Sequence, residues 1–233
     1  MNVYYQNRKA VLSGSQVATG SSLDNIYDPM LELRADFPNG HIVIIGSYGN
    51  PVAVDSLCIG YTNAVTYKLM IPSGNTFSGI INGKITICDF NSDMFINAFI
   101  LELECYEPQL YLGHLFLGKK IVLPRFAVEP DTGITLNSEA LRSSGGQVFG
   151  MKRATLKNFG VKFNRLASDE YKLIKEYIEA VQNVEPHIID PYQAAREDFP
   201  PMYATLNIKE VSLPKRNENG FYYGGSLAWQ EAR

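Results

Sequence analysis

His41-Ile42-Val43-Ile44-Ile45-Gly46-Ser47-Tyr48-Gly49, followed after Asn50-Pro51 by Val52-Ala53-Val54-Asp55-Ser56-Leu57-Cys58-Ile59-Gly60-Tyr61-Thr62, decides the fold class. Both runs are short, apolar and rich in β-branched residues, and neither carries a sustained 3.6-residue period. Each reads as a strand. Working outward, LELRADF (31–37) stops at Pro38-Asn39-Gly40, AVTYKLMI (64–71) at the turn PSGN (72–75), and FSGII (77–81) at Asn82-Gly83. KITICDF (84–90), MFINAFILELECY (94–106) and QLYLGHLFLGKKIVL (109–123) bring the series to seven or eight strands. Asn-Gly supplies a positive φ at little cost, so both dipeptides are expected to close hairpins between their flanking strands. Regular short strands with turn signals predict a mostly β chain, with a β-sandwich or jelly roll over 25–123.

After Pro124 the pattern changes. RFAVEPDTGITLNSEALRSSGGQVFGMKRA (125–154) reads as a twisted hairpin or long connection around Gly145-Gly146, and TLKNFGVKFNRL (155–166) alternates as a strand. One helix is expected from Ser168 as N-cap, with Asp169 and Glu170 at the positive end of its dipole. Tyr171, Ile174, Tyr177, Ile178 and Val181 share a face, and Asn183 and Pro186 end the helix. HIIDPY (187–192) and MYATLNIKEVSL (202–213) read as further strands. The expected organisation is thus an N-terminal arm (1–24), the sandwich (25–123), a smaller β-plus-one-helix unit (124–213) and a C-terminal arm (214–233) carrying Trp229, the single tryptophan.

With 233 residues the chain is long enough to bury a core without staples. Its 21 basic and 24 acidic residues leave a net charge of −3 with no basic stripe, which argues against nucleic acid as partner. Tyr and Phe together number 26, aromatic area suited to filling β cores or to lasting protein contacts. Cys58, Cys88 and Cys105 have no metal-ligand spacing and lie in apolar runs, as buried free thiols do. The opening MNVYYQNRKAV has no basic segment leading into an apolar one, so no signal peptide is expected. Every apolar run is shorter than the ~20 residues of a membrane span.

Sequence signatures of an enzyme are missing: no GxSxG, Walker loop, GxGxxG after a strand or HExxH occurs. His41, His114 and His187 are scattered, and His114 reads as an inter-strand histidine. Glu185, His187 and Asp190 lie close enough to assemble a general acid or base, but a hydrogen-bonded turn explains them better. Asp89-Phe90-Asn91-Ser92-Asp93 offers oxygens between two strands, yet lacks the glycine and distal Glu of a calcium loop, and Asx-turn chemistry accounts for it. Neither a metal nor a cofactor is expected. Tyr48, Tyr61 and Tyr67, placed at loops and strand ends, are the candidate stacking platforms for sugar.

Two sets of residues carry a resemblance. Val54-Asp55-Ser56-Leu57-Cys58-Ile59-Gly60-Tyr61-Thr62-Asn63 and Gly113-His114-Leu115-Phe116-Leu117-Gly118 resemble segments of the discoidin-like, or galactose-binding-like, jelly rolls of bacteriophage structural proteins. RSSGGQVFG (142–150), FGVKFNRLASDEYKLIKEYI (159–178) and PHIIDPY (186–192) are similar to the β-plus-one-helix units of phage tail and tail-tip proteins. The resemblance implies a virion structural protein, assembled in the host cytoplasm, present in several copies as a tail component or adaptor, homo-oligomeric and bound to other tail proteins. The interface residues expected on that reading are Arg142, Ser143, Gly145, Gly146, Gln147 and Phe149 in the glycine loop, with Tyr222, Tyr223 and Trp229 in the terminal arm. The alternative is a carbohydrate-binding module that attaches to a host glycan through the three tyrosines.

Overall fold

The run from His41 does form a strand, but Pro51 does not end it. In the computed structural model, which describes residues 1–28, 33–125, 131–136, 139–142, 148–151, 155–181, 185–192, 196–197, 199–207, 212–218 and 220–232, the strand continues unbroken from His41 to Thr62. Among the described residues the structure is mostly β, with one α-helix, as the patterning predicts. The chain divides into two compact units, Asn2–Ile121 with Ile188–Met202, and Val122–His187 with Tyr203–Ala232.

The first unit holds β1 (Asn2–Asn7), β2 (Val11–Gly14), β3 (Ala35–Phe37), β4 (His41–Thr62), β5 (Thr66–Met70), β6 (Thr76–Ile80), β7 (Ile85–Glu104), β8 (Leu110–Val122) and β13 (His187–Asp190). Their neighbour order is β6-β5-β7-β4-β8-β1-β13, with β2 also on β4 and β3 on β8. β4 and β7 are antiparallel and bend together. His41–Ser47 pairs with 98–104, whereas Ser56–Gly60 pairs with 85–89. Between those legs the register slips twice: residues 48–51 of β4 face one residue of β7, and then residues 90–93 of β7 face one of β4. Pro51 sits in the first slip, where no ladder hydrogen bond is asked of it. The first leg of β4 pairs with β2 and that of β7 with β5, which carries β6, while the second leg of β4 pairs with β8. Ile42, Ile44, Leu69, Phe99, Leu101 and Leu103 from the first layer pack with Leu57, Ile59, Leu115 and Leu117 from the second in a single apolar cluster. That is the predicted β-sandwich.

The turn chemistry departs from expectation. PSGN does close a hairpin, β5 to β6, through Ile71 N–H to Asn75 O at 2.8 Å. Asn39-Gly40 and Asn82-Gly83 instead join strands that do not pair with each other, β3 to β4 and β6 to β7. Gly83 takes the expected positive φ of 74°. Gly40 is required for a different reason: a Cβ there would lie 2.2 Å from the carbonyl oxygen of Glu107.

The second unit contains β9 (Asp131–Leu136), β10 (Glu139–Arg142), β11 (Val148–Met151), β12 (Thr155–Phe163), α1 (Ser168–Val181), β14 (Met202–Leu206), β15 (Lys215–Arg216), β16 (Tyr222–Tyr223) and β17 (Gly225–Glu231). Its main sheet runs β14-β17-β12-β9, and β10-β11 and β15-β16 are separate two-stranded pieces. α1 buries Ile174, Tyr177 and Val181, the predicted face. Its N-cap is Ala167 and not Ser168: the Ala167 carbonyl accepts from Tyr171 N–H (3.0 Å), and its own N–H donates to Glu170 Oε2 (2.7 Å). Glu170 supplies half of a capping box, so a side chain without a hydroxyl suffices at the cap.

Both stretches expected as arms contain sheet strands. Asn2–Asn7 is β1, between β8 and β13, and Gly225–Glu231 is β17, between β14 and β12. β17 alternates buried and half-buried residues, and a strand with one face in a core has no freedom to reach outward. The packing at Gly46 makes a direct test. A Cβ there would meet the Phe99 ring at 2.1 Å. Gly46→Ala should lower unfolding free energy by about 1–3 kcal/mol in urea titration, as overpacked cores do, and Phe99→Leu in the same chain should recover part of that loss.

Candidate functional site

The loop that joins β7 to β8 is fastened at one end of the sandwich. Cys105 N–H donates to Gly40 O (2.8 Å), and the Cys105 thiol donates to Glu107 O (3.1 Å). Asn63 does most of the fastening: its amide donates to Glu107 Oε2 and to Gln109 O (both 2.9 Å), and its Oδ1 accepts Tyr111 N–H (2.9 Å). Thr62 adds a bond from its hydroxyl to Tyr111 O at 2.5 Å. Thr62 and Asn63 close the motif quoted above for its discoidin-like character, and their work is to fix this loop. At its tip Tyr106 is 92% exposed. His41 Nε2 and Glu104 Oε1 lie 3.8 Å apart on the adjoining strand ends, both open to solvent. Arg34 is held by Asp36 (2.9 Å) and lies over the Tyr111 ring, 4.1 Å from its centre.

A polar network occupies the second slip between β4 and β7. Asp89 Oδ1 accepts from the Tyr4 hydroxyl (3.1 Å) and pairs with Lys120 Nζ (2.8 Å), while Ser56 Oγ lies 3.1 Å from it and 2.6 Å from Asp55 Oδ1. Asp55 also accepts Lys120 N–H (2.9 Å). Arg196 grips Asp190 by two nitrogens, Nη2 at 2.6 Å and Nε at 3.2 Å. The Asp190 side chain is 0% exposed. The oxygen-rich run at 89–93 therefore lies within β7, with Asp89 paired to Lys120 and Asp93 to Lys119. Among the described residues no group of three or more His, Cys, Asp or Glu is placed to hold a metal.

The buried histidines are neutral. In the second unit Trp229 Nε1–H donates to the Tyr177 hydroxyl (2.7 Å), and Tyr177 lies 2.6 Å from His187 Nε2. His187 Nδ1 is 2.9 Å from Glu185 O, an acceptor only, so Nδ1 carries the proton and Nε2 accepts from Tyr177. Burial pushes His187 down to about 4. His114 in the first unit is pushed down to about 4 as well, by burial first and by Lys9 second. Glu185 contributes its main-chain carbonyl to His187, and the Asp190 carboxylate is committed to Arg196, so the acid-base grouping weighed from sequence is a set of structural contacts.

Of the sugar candidates, Tyr67 is 7% exposed, Tyr48 has its hydroxyl buried without a hydrogen-bond partner and its ring centre 6.2 Å from Phe99, and Tyr61 is half-buried at a positive φ of 54° opposite Gly113. None offers an open ring face of the kind Tyr106 offers. The signal for Tyr106 was Tyr-Glu-Pro-Gln between two long strands, a tip too short to fold inward. Of the interface candidates, Trp229 is 1% exposed in its own unit. Tyr222 stacks on Tyr171 with ring centres 3.9 Å apart, and Tyr223 is 39% exposed. Arg142 and Phe149 lie on the paired strands β10 and β11, whereas Ser143, Gly145, Gly146 and Gln147 fall outside the described residues. Of the twisted hairpin or long connection expected there, the described residues show the antiparallel pairing of 139–142 with 148–151.

No protein-family model and no curated protein matches the chain. Solved structures do. A chitosan-binding module of a Paenibacillus chitosanase/glucanase aligns at 14% identity and TM-score 0.41, over 49% of this chain and 98% of the module. A family 32 carbohydrate-binding module of Clostridium perfringens, solved with galactose, aligns at 11% and 0.43, over 50% and 98%. A Ruminococcus gnavus family 29 fucosidase aligns at 16% and 0.43, and the chain spans only 25% of it. Each alignment covers about half of this chain at low identity, and none of the three is with a phage protein.

Two outcomes follow from the buried groups. Arg196→Ala leaves the Asp190 carboxylate buried without its counter-charge and should cost about 3–5 kcal/mol, measured by denaturant unfolding. In an Asp190→Asn background the same change should cost less than half as much; equal costs would show that Arg196 works elsewhere. For His114 and His187 the folded state binds its proton only near pH 4, whereas the unfolded chain does so near 6.5. Stability should therefore be complete above 6.5 and fall as pH drops from 6.5 towards 4, by up to about 3 kcal/mol per histidine. A His114→Gln, His187→Gln variant should show a flatter pH dependence across that window.

Proposed function

We propose that the sandwich unit is a carbohydrate-binding module and that Tyr106 is its stacking platform. One observation carries the reading: a tyrosine ring stands 92% exposed on a loop whose every turn is fastened to the sandwich. An aromatic face left in water costs apolar surface that folding would otherwise hide, and a pyranose ring stacks on such a face through its C–H groups. The fastening matters as much as the exposure. A loop already held in place pays little ordering entropy on binding, which is the cost that most weakens small-ligand sites. Glu104, Glu107 and His41 surround the base of the loop with donors and acceptors for sugar hydroxyls.

In this reading the chain binds and does not turn over its ligand. The alternative role as a multi-copy tail component rests on the sequence resemblance, and no observation of this structure favours it. The test is a panel of immobilised galactosides, fucosides and chitin and chitosan oligosaccharides probed with the full chain. Tyr106→Ala should abolish binding to whichever members are retained, with an unchanged thermal midpoint, while Tyr223→Ala should bind normally. Failure of the wild-type chain to retain any member would sink the proposal, as would unaltered binding by Tyr106→Ala.

A further inference from the structure

The same loop carries charge of one sign. Tyr106 stands between Glu104 and Glu107 in the chain, and both carboxylates reach solvent. Glu104, with 64% of its side chain exposed, faces His41 at 3.8 Å and the Thr66 hydroxyl at 3.4 Å. Glu107 accepts the Asn63 amide at 2.9 Å. Among the described residues neither has a lysine or arginine within ion-pair distance. The cations nearby are engaged otherwise: Lys68 with Glu102 (3.5 Å) and Arg34 with Asp36 (2.9 Å).

From this we infer that the ligand of the Tyr106 site is a glycan bearing protonated amines, a hexosamine polymer in its deacetylated form. The inference rests on the glycan-binding reading and narrows it. Stacking on Tyr106 accepts any pyranose with an apolar face, so it selects poorly among sugars. The two carboxylates select. An ammonium group on a bound ring meets Glu104 or Glu107 in a charge-assisted hydrogen bond, the stronger kind of polar contact. A neutral sugar has only hydroxyls to offer the same oxygens, and an anionic sugar meets like charge.

Chitosan hexamer and chitin hexamer share one backbone and differ in the amine, so the pair separates the two readings. By calorimetry with the full chain in mildly acidic buffer, chitosan hexamer should bind about 2- to 30-fold more tightly than chitin hexamer, the scale of two exposed charge contacts. The difference should shrink in about 1 M salt, where screening acts over about 3 Å. Glu104→Gln with Glu107→Gln should erase it, bringing the two ligands to equal affinity, and Tyr106→Ala should weaken both ligands. Chitin bound as tightly as chitosan would overturn this inference and leave the glycan reading standing. Chitosan retained in full by Tyr106→Ala would show a diffuse ionic contact and overturn both.

Discussion

β4 and β7 must each serve two layers, and everything else in the first unit is arranged around how they turn the corner. A strand has a side-chain period of two, so a chain passing from one layer to the facing one must change which residues point inward. β4 does so between Val54 and Leu57. Before that point Ile42, Ile44 and Val54, at even positions, lie in the core; after it Leu57 and Ile59, at odd positions, do. The two register slips are of equal size and opposite sense, so the pair enters and leaves the bend in the same alignment. Sheet geometry at such a slip leaves backbone groups off the ladder, and these need other partners.

A polar network fills the second slip. Asp55 accepts the main-chain N–H of Lys120 where β4 and β7 part, and Asp89, the last residue before the four that bulge from β7, gathers Tyr4, Ser56 and Lys120. An oxygen-rich run that invites a calcium reading is thus the filling of a bend. Ion pairs this sheltered contribute little net stability, because desolvation offsets most of the attraction. Their value is in specifying one arrangement: a slip by one residue would carry Asp89 away from Lys120 and leave both without their partner.

Local signals were legible where the chain's neighbours in space are also its neighbours in sequence. The PSGN hairpin, the helix with Ile174, Tyr177 and Val181 inward, and the alternation of the long strands belong to this class. The rest depended on distant pairing. β13 lies beside β1 at a separation of more than 180 residues, so no local pattern reveals that 188–202 belongs with the sandwich. Trp229 reads as a terminal anchor until β12 and β14 are known to flank it, and Pro51 reads as a break until the register slip is seen.

The same reasoning explains why the tyrosines that the sequence singles out are buried or half-buried. Tyr48, Tyr61 and Tyr67 flank apolar runs, and in a sandwich such positions are the ones that turn inward. Tyr67 closes over Gly79, Tyr61 bends back against Gly113, and Tyr48 reaches towards Phe99. Tyr106 has a different constraint. Its neighbours Cys105 and Glu107 are both used to tie the loop down, through backbone, thiol and side chain, and the ring between them faces solvent. Exposure of that ring is a consequence of how the loop is closed, and the closure depends on Gly40 and Asn63, which sequence alone presents as a turn glycine and a polar residue after a strand.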